Sequence, residues 1–265
     1  MTTGATISRR RALQFIAGGA LFAASGAPAL AKDSHHKDAR IARLIGQAQA
    51  LPAVAQRIDF ISRALIGSPY RGYTLIGGPR RPEQFVVRDD VFDCVTYCET
   101  VLAAALARAP DDFTAALRQI RYHDGAVTWR ERNHYFAQWS ENNIANRICR
   151  AVALPGCETV EKKVSYMRAL GARRLSMPAI PRASLLANKE LLATGDIIGF
   201  LSRRPTLDYF HVGFVVVDDD GGLWLRHAAK SRHRVLDQPL RRFLSYNRVQ
   251  AVTVLRARER DDTIV

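Results

Sequence analysis

Three residues have the types needed for covalent acyl chemistry. Cys94 stands where a helix begins, and His211 and His227 fall on two segments that read as neighbouring strands. A helix start carries partial positive charge, which favours thiolate over thiol and turns a cysteine into a nucleophile. A thiolate nucleophile needs a base that takes its proton and later returns one to the leaving amine. His211 suits that task, and His227 suits the task of fixing the imidazole tautomer of His211. A lone cysteine on an apolar helix is usually a core residue, which is the reading of Cys98. Zinc held by Cys94, Cys98, His211 and His227 is the alternative chemistry, but CxxxC on a helix fits the usual zinc knuckle poorly.

The histidine pairing follows from a register. Val217 and Leu223 flank a turn of five residues, Asp218 to Gly222. If they pair, Gly213 faces His227, and side-chain alternation puts His211 on the same face. Gly213 has no side chain to fill the gap between the two rings. A register shifted by one residue would send them to opposite faces.

The elements that must hold these residues are legible from periodicity. Ile41, Leu44 and Ile45, then Ile58, Ile61 and Leu65, recur at helical spacing with a break at Pro52, which predicts two helices. Gly67 to Gly72 and Gly77 to Pro79 read as loops. Phe92 to Arg108 predicts the strongest helix, capped by Asp93. Phe113 to Tyr122 predicts another, ended at His123-Asp124-Gly125. Residues 126–148 hold a dense polar-aromatic cluster that includes Trp129, Asn133, His134, Tyr135 and Trp139. Residues 158–194 read as mixed, broken at Pro178 and Pro181, with a short helix near Ala183 to Leu192. Strands follow at Ile197 to Leu201, His211 to Val217, Leu223 to Ala228 and Ala251 to Leu255. Helices first and an antiparallel sheet afterwards define an α+β domain.

The chain's formal charge of +14 calls for an anionic partner. The N-terminus narrows the choice. Arg9, Arg10 and Arg11 form a twin-arginine type start, an apolar run extends from Phe15 to Ala29, and Ala29-Leu30-Ala31 is a small-x-small cleavage site. The run falls short of the roughly 20 residues a membrane span needs, so residues 1–31 read as an export signal. Its removal leaves a charge of +11 and a protein outside the cytoplasm, periplasmic or otherwise extracytoplasmic, with no stable membrane span and no nucleic-acid partner. Residues 32–39 read as a flexible tail, 40–257 as the folded domain and 258–265 as a C-terminal tail. Cys149 and Cys157 flank Pro155-Gly156 and either bridge or remain thiols; a fold completed before export cannot depend on that bridge.

Phe92-Asp93-Cys94-Val95-Thr96-Tyr97, Gly195-Asp196-Ile197-Ile198, His211-Val212-Gly213-Phe214 and Arg226-His227-Ala228 resemble the NlpC-type papain-like cell-wall hydrolases. Within them the chain is most similar to the family labelled N-acetylmuramoyl-L-alanine amidase-like. That pattern includes Gly67-Ser68-Pro69-Tyr70, Glu99 on the cysteine helix, and Arg132-Asn133-His134-Tyr135 followed by Trp139. The resemblance covers residues 40–257. It implies a papain-like α+β fold with Cys94 as nucleophile, His211 as base and His227 as the polar third member. It also implies that Tyr70 lines the site and that Asp93 helps recognise the substrate's peptide. Val95-Thr96 stands where the endopeptidases of the superfamily carry Ser-Gly after the cysteine, which argues against their way of recognising an L-alanine amine. Asn133, His134 and Tyr135 either supply substitute substrate contacts or form an internal hydrogen-bond network.

The expected reaction is thiol-dependent hydrolysis of an amide in the peptidoglycan stem, with no cofactor and no metal. Two bonds are open, N-acetylmuramic acid to L-alanine and γ-D-glutamyl to diaminopimelate. An inactive wall-binding protein, a metal-dependent amidase and an acyl transferase are the rival readings.

Overall fold

A computed structural model describes residues 39–259. The export signal read over residues 1–31, and the tail up to residue 38, lie outside the described residues. None of the helices in the described part is long and apolar enough to cross a membrane.

Helices α1 (Ala39–Ala48) and α2 (Val54–Ala64) flank the Pro52 break. They bury Ile41, Leu44, Ile45, Ile58 and Ile61, as their spacing requires. The start of α2 is closed by the far end of the chain. Glu259 accepts a hydrogen bond from the Val54 N–H at 2.6 Å and pairs with Arg57 at 2.9 Å. Arg258 donates its N–H to the Ile148 carbonyl at 2.9 Å, so both residues pack with the domain.

The Gly77 loop is a small ribbon, β1 (Ile76–Gly78) paired with β2 (Arg81–Gln84). Gly77 is needed there, because a Cβ would lie 1.8 Å from the Glu83 carboxylate.

Helix α3 (Cys94–Leu106) is buried on almost every side, hence its unbroken apolar and small residues. Asp93 accepts from the Val95 and Thr96 N–H groups at 3.1 and 2.8 Å, and the Thr96 hydroxyl accepts from the Asp93 N–H at 2.9 Å. This reciprocal cap fixes the first turn and therefore Cys94. Helices α2 and α4 (Phe113–Arg121) pack against it, and α5 (Phe136–Ala145) packs against α4.

The sheet is antiparallel, with strands β3 (Cys149–Ala151), β4 (Glu158–Val164), β5 (Arg173–Pro181), β6 (Ile197–Leu201), β7 (Tyr209–Val217), β8 (Leu223–Ala229), β9 (Arg234–Pro239) and β10 (Ala251–Ala257). Their order is β4-β5-β10-β6-β7-β8-β9, with β3 also on β10. One face packs on α3 through Val212 and Phe214. The other carries Phe200, Val215 and Leu225 and is covered by α6 (Arg182–Ala187) and α7 (Leu240–Tyr246). This is a mixed α+β architecture.

Two local readings change. Residues 158–181 form the β4–β5 hairpin, with Thr159 opposite Pro178. Leu175, Met177 and Ala179 are its buried, alternating set, a period-two signal masked by the prolines. β9 and α7, which follow β8, have too few apolar residues to stand out alone. Cys149 is buried and Cys157 exposed, and neither is bridged.

Candidate active site

The hairpin register is the expected one: Val217 pairs with Leu223 and Phe214 with Arg226. A Cβ on Gly213 would lie 2.9 Å from the His227 Cβ and 2.7 Å from the Leu225 Cδ1. The gap it leaves lets His211 Nε2 meet His227 Nδ1 at 2.7 Å, with the rings perpendicular at 88°. Phe200 packs against the His211 ring, and Phe243 packs against both rings.

Either ring can donate in that bond, giving two tautomer pairs. For His211 Nδ1 to accept a proton, Nε2 must carry the hydrogen and donate to His227 Nδ1. His227 then carries its hydrogen on Nε2, which is buried and has no partner in hydrogen-bond geometry. Gln238 on β9 is the polar side chain beside it, and its influence raises the His227 pKa, as an acceptor facing an N–H would. Replacing Gln238 by leucine removes that acceptor and frees the unproductive tautomer. Loss of one hydrogen bond should slow turnover about tenfold with KM unchanged. Gln238→Glu keeps an acceptor and should retain most of the rate. A leucine variant as fast as the parent would remove Gln238 from the network.

Burial holds His211 down to about 3, with the facing His227 contributing, and holds His227 down to about 4. Both stay neutral in the folded protein where an unfolded chain, at the ordinary value of 6.5, takes up protons. The unfolded state then binds more protons, so this contribution to stability is present above pH 6.5 and is lost as the pH falls. Each histidine contributes a slope approaching about 1.4 kcal/mol per pH unit. Urea unfolding between about pH 6 and 4.5 should be steeper in pH for the wild type than for a His211→Gln/His227→Gln variant. Equal slopes would mean that the pair charges freely in the folded state.

Cys94 is half-buried at the first turn of α3. The N–H groups of Val212, Val95 and Cys94 itself face its sulfur and favour the anion, but burial and the Asp93 charge win and push the thiol up to about 12. In the resting protein the thiol and both imidazoles are therefore neutral. Cys94 lies against the backbone of Val212, next in sequence to His211, and makes no hydrogen bond to the His211 ring among the described residues.

Tyr70 is brought to the same place. Its N–H donates to the His233 carbonyl at 2.8 Å, and Arg71 donates to Phe92 at 2.9 Å. Burial, then the neighbouring Cys94 and Asp93, push its phenol up to about 12, so it remains a hydroxyl donor. Asp93 carries the helix cap on one carboxylate oxygen.

Asn133, His134 and Tyr135 are not brought to this group by any hydrogen bond. Asn133 donates to the Ile120 carbonyl at 3.2 Å and accepts from Asn142 at 2.5 Å. His134 Nε2 meets the Trp129 carbonyl at 2.6 Å, and burial lowers it to about 4. Tyr135, 1% exposed, accepts from the Met167 N–H at 2.9 Å. These bonds tie the segment to Ile120, Asn142, Trp129 and Met167.

Cys98 is in the core, 1% exposed. Sequence reasoning gave no role to Gln238, Phe243 or Arg226. Arg226 lies beneath the pair and bonds Asp237 at 2.8 Å through both oxygens, Asp59 at 2.8 Å and Ser62 at 3.0 Å. An arginine directly before His227 in the motif was the available signal.

The described residues form an α+β protein in which Cys94 lies against the backbone of the strand that carries His211. The N-acetylmuramoyl-L-alanine amidase-like (AmiA-like) family model matches residues 60–252, and the chain belongs to that family. A solved N-acetylmuramoyl-L-alanine amidase from Bacteroides uniformis is similar, with 26% identity, a TM-score of 0.68, and 78% of this chain and 99% of that one covered. Another amidase structure from that organism has 25% identity and a TM-score of 0.67, covering 81% of this chain and all of its own (100%). A Legionella pneumophila protein shares the fold at 22% identity and a TM-score of 0.72, over 83% of this chain and 94% of its own. No curated protein matches the sequence.

Proposed function

We propose that the protein is an exported cysteine amidohydrolase of papain-like, NlpC-type fold that hydrolyses an amide in the peptidoglycan stem. The bond between N-acetylmuramic acid and L-alanine is the favoured one. The carrying observation is the 2.7 Å His211–His227 bond on the strand whose backbone meets Cys94, in a chain of the amidase-like family.

Cys94 gives its proton to His211 Nδ1 as the sulfur turns from Val212 toward the substrate carbonyl and bonds to its carbon. The negative oxygen that forms is met by the Cys94 N–H at the helix start and by the Tyr70 hydroxyl. His211 returns the proton to the departing nitrogen, the C–N bond breaks, and a thioester remains. Water then attacks the thioester, giving one proton to His211, and the acid leaves as the thiol is restored. His227, backed by Gln238, keeps Nδ1 of His211 free throughout. Asp93 holds the helix start in place and offers its second oxygen to the substrate's peptide.

Digestion of purified peptidoglycan by the mature protein, followed by mass spectrometry of the products, tests this. Intact free stem peptides identify the muramoyl-alanine cut. Fragments split after D-glutamate identify the endopeptidase of the same superfamily. Absence of any amide product sinks the hydrolase reading and leaves a wall-binding role.

A further inference from the structure

A pocket of about 800 Å³ opens beside the histidine pair, and His211 and His227 form part of its wall. Lys230 and Arg232, from the turn after β8, and Arg242, from α7, also line it, with Tyr246 at its edge. Isolated surface cations are usually just solvated. These three come from two separate elements and line one concavity, and none of their side chains has a hydrogen bond or ion pair among the described residues. By contrast Arg121, Arg132, Arg226 and Arg256 are each held by a carboxylate. The carboxylate of the adjoining groove, Asp237, already gives both oxygens to Arg226 at 2.8 Å. A concave, low-dielectric wall with unneutralised positive charge concentrates anions. Tyr246, 85% exposed, adds an aromatic face on which a chain can lie.

We propose that this pocket is the subsite for the amine side of the substrate, and that it takes a peptide bearing several free carboxylates. The inference rests on the amidohydrolase reading above. In that reaction His211 protonates the departing nitrogen, so the half released as an amine must lie against His211, which lines this pocket. In a muramoyl-alanine cut the two halves differ in charge. The acyl half is a neutral lactyl sugar amide, whereas the amine half is a stem peptide with the α-carboxylate of its γ-linked D-glutamate and those of diaminopimelate. The basic pocket matches the second half, through charge-assisted hydrogen bonds from Arg232 and Arg242 and a point charge from Lys230.

The test uses the chain with Cys94→Ala, so that nothing turns over, and calorimetric titration with the free peptide L-Ala-γ-D-Glu-diaminopimelate. The comparison ligand is the same peptide with its carboxylates converted to carboxamides. The charged peptide should bind at least tenfold more tightly, and adding Arg232→Gln and Arg242→Gln should remove that preference. Both arginines are exposed, so thermal unfolding should show the variant folded. In the active protein the same pair of changes should raise KM at least tenfold for stems with free carboxylates and collapse the selectivity over amidated stems. Equal binding of the two peptides, or a preference that survives both substitutions, overturns the pocket assignment even if hydrolysis is vigorous. Carboxylate-dependent binding lost in the variant, in a protein that cuts no stem, upholds the ligand class and overturns the hydrolase reading instead.

Discussion

Cys94→Ala should abolish release of stem peptides from peptidoglycan, lowering turnover by roughly 10⁴- to 10⁶-fold, the loss seen when a covalent nucleophile is removed. The fold should survive. The cap of α3 is made by Asp93 and Thr96, not by the thiol. Cys94 is only half-buried, so its loss should change stability by about 1 kcal/mol or less. Cys94→Ser should be nearly as inactive, because a hydroxyl gives up its proton far less readily than a thiol. The neutral resting thiol adds a second readout. With the sulfur pushed up to about 12, iodoacetamide should label Cys94 slowly at neutral pH, and the rate should climb steadily on the alkaline side. Rapid labelling at neutral pH would mean that a thiolate is already present. Full activity of the alanine variant would remove Cys94 from the mechanism.

The second large effect concerns what holds the cysteine helix in place. Glu99, one turn beyond Cys94, pairs with Arg121 of α4 at 2.7 Å, and both side chains are almost wholly buried, 2% and 3% exposed. Arg121 also donates to the Val86 carbonyl at 2.6 Å. Burial raises the Glu99 pKa, and Arg121 opposes the rise. Arg121→Met strands a carboxyl in the core and should cost about 3–5 kcal/mol by urea unfolding. Glu99→Met with Arg121→Met should recover most of that loss, since a buried pair replaced by apolar groups is often neutral. The single variant should also acquire a pH signature. With Arg121 gone, the folded Glu99 pKa rises further above its ordinary 4.5, so the folded state keeps a proton that the unfolded state releases. Its stability is then greatest below pH 4.5 and falls as the pH rises through the folded value. A single variant no less stable than the double variant would show that the ion pair does not hold the helix.

The sequence carried much of the candidate site because its signals are local. Capping by Asp93, the apolar faces of α1 to α4, and the odd-length turn between Val217 and Leu223 depend on residues within a few positions of one another. From that turn alone the meeting of His211 and His227 follows. The Asn133 to Tyr135 segment was legible as a polar cluster, but its partners were not, since Ile120 and Met167 lie elsewhere along the chain. The β4–β5 hairpin was hidden by prolines that its register tolerates.

By itself, then, the sequence determined which elements form, that Cys94 begins a helix, and that the two histidines share a face. Only the tertiary structure decided that β10, the last strand, enters between β5 and β6, that Cys149 and Cys157 stay apart, that the resting thiol faces Val212, and that Gln238 and three unpaired cations come to stand beside the histidines. The physical reason is range. Periodicity and caps act over one or two turns of chain, whereas those placements join segments tens of residues apart. Their positions are set by which apolar faces can be buried together once the chain has closed.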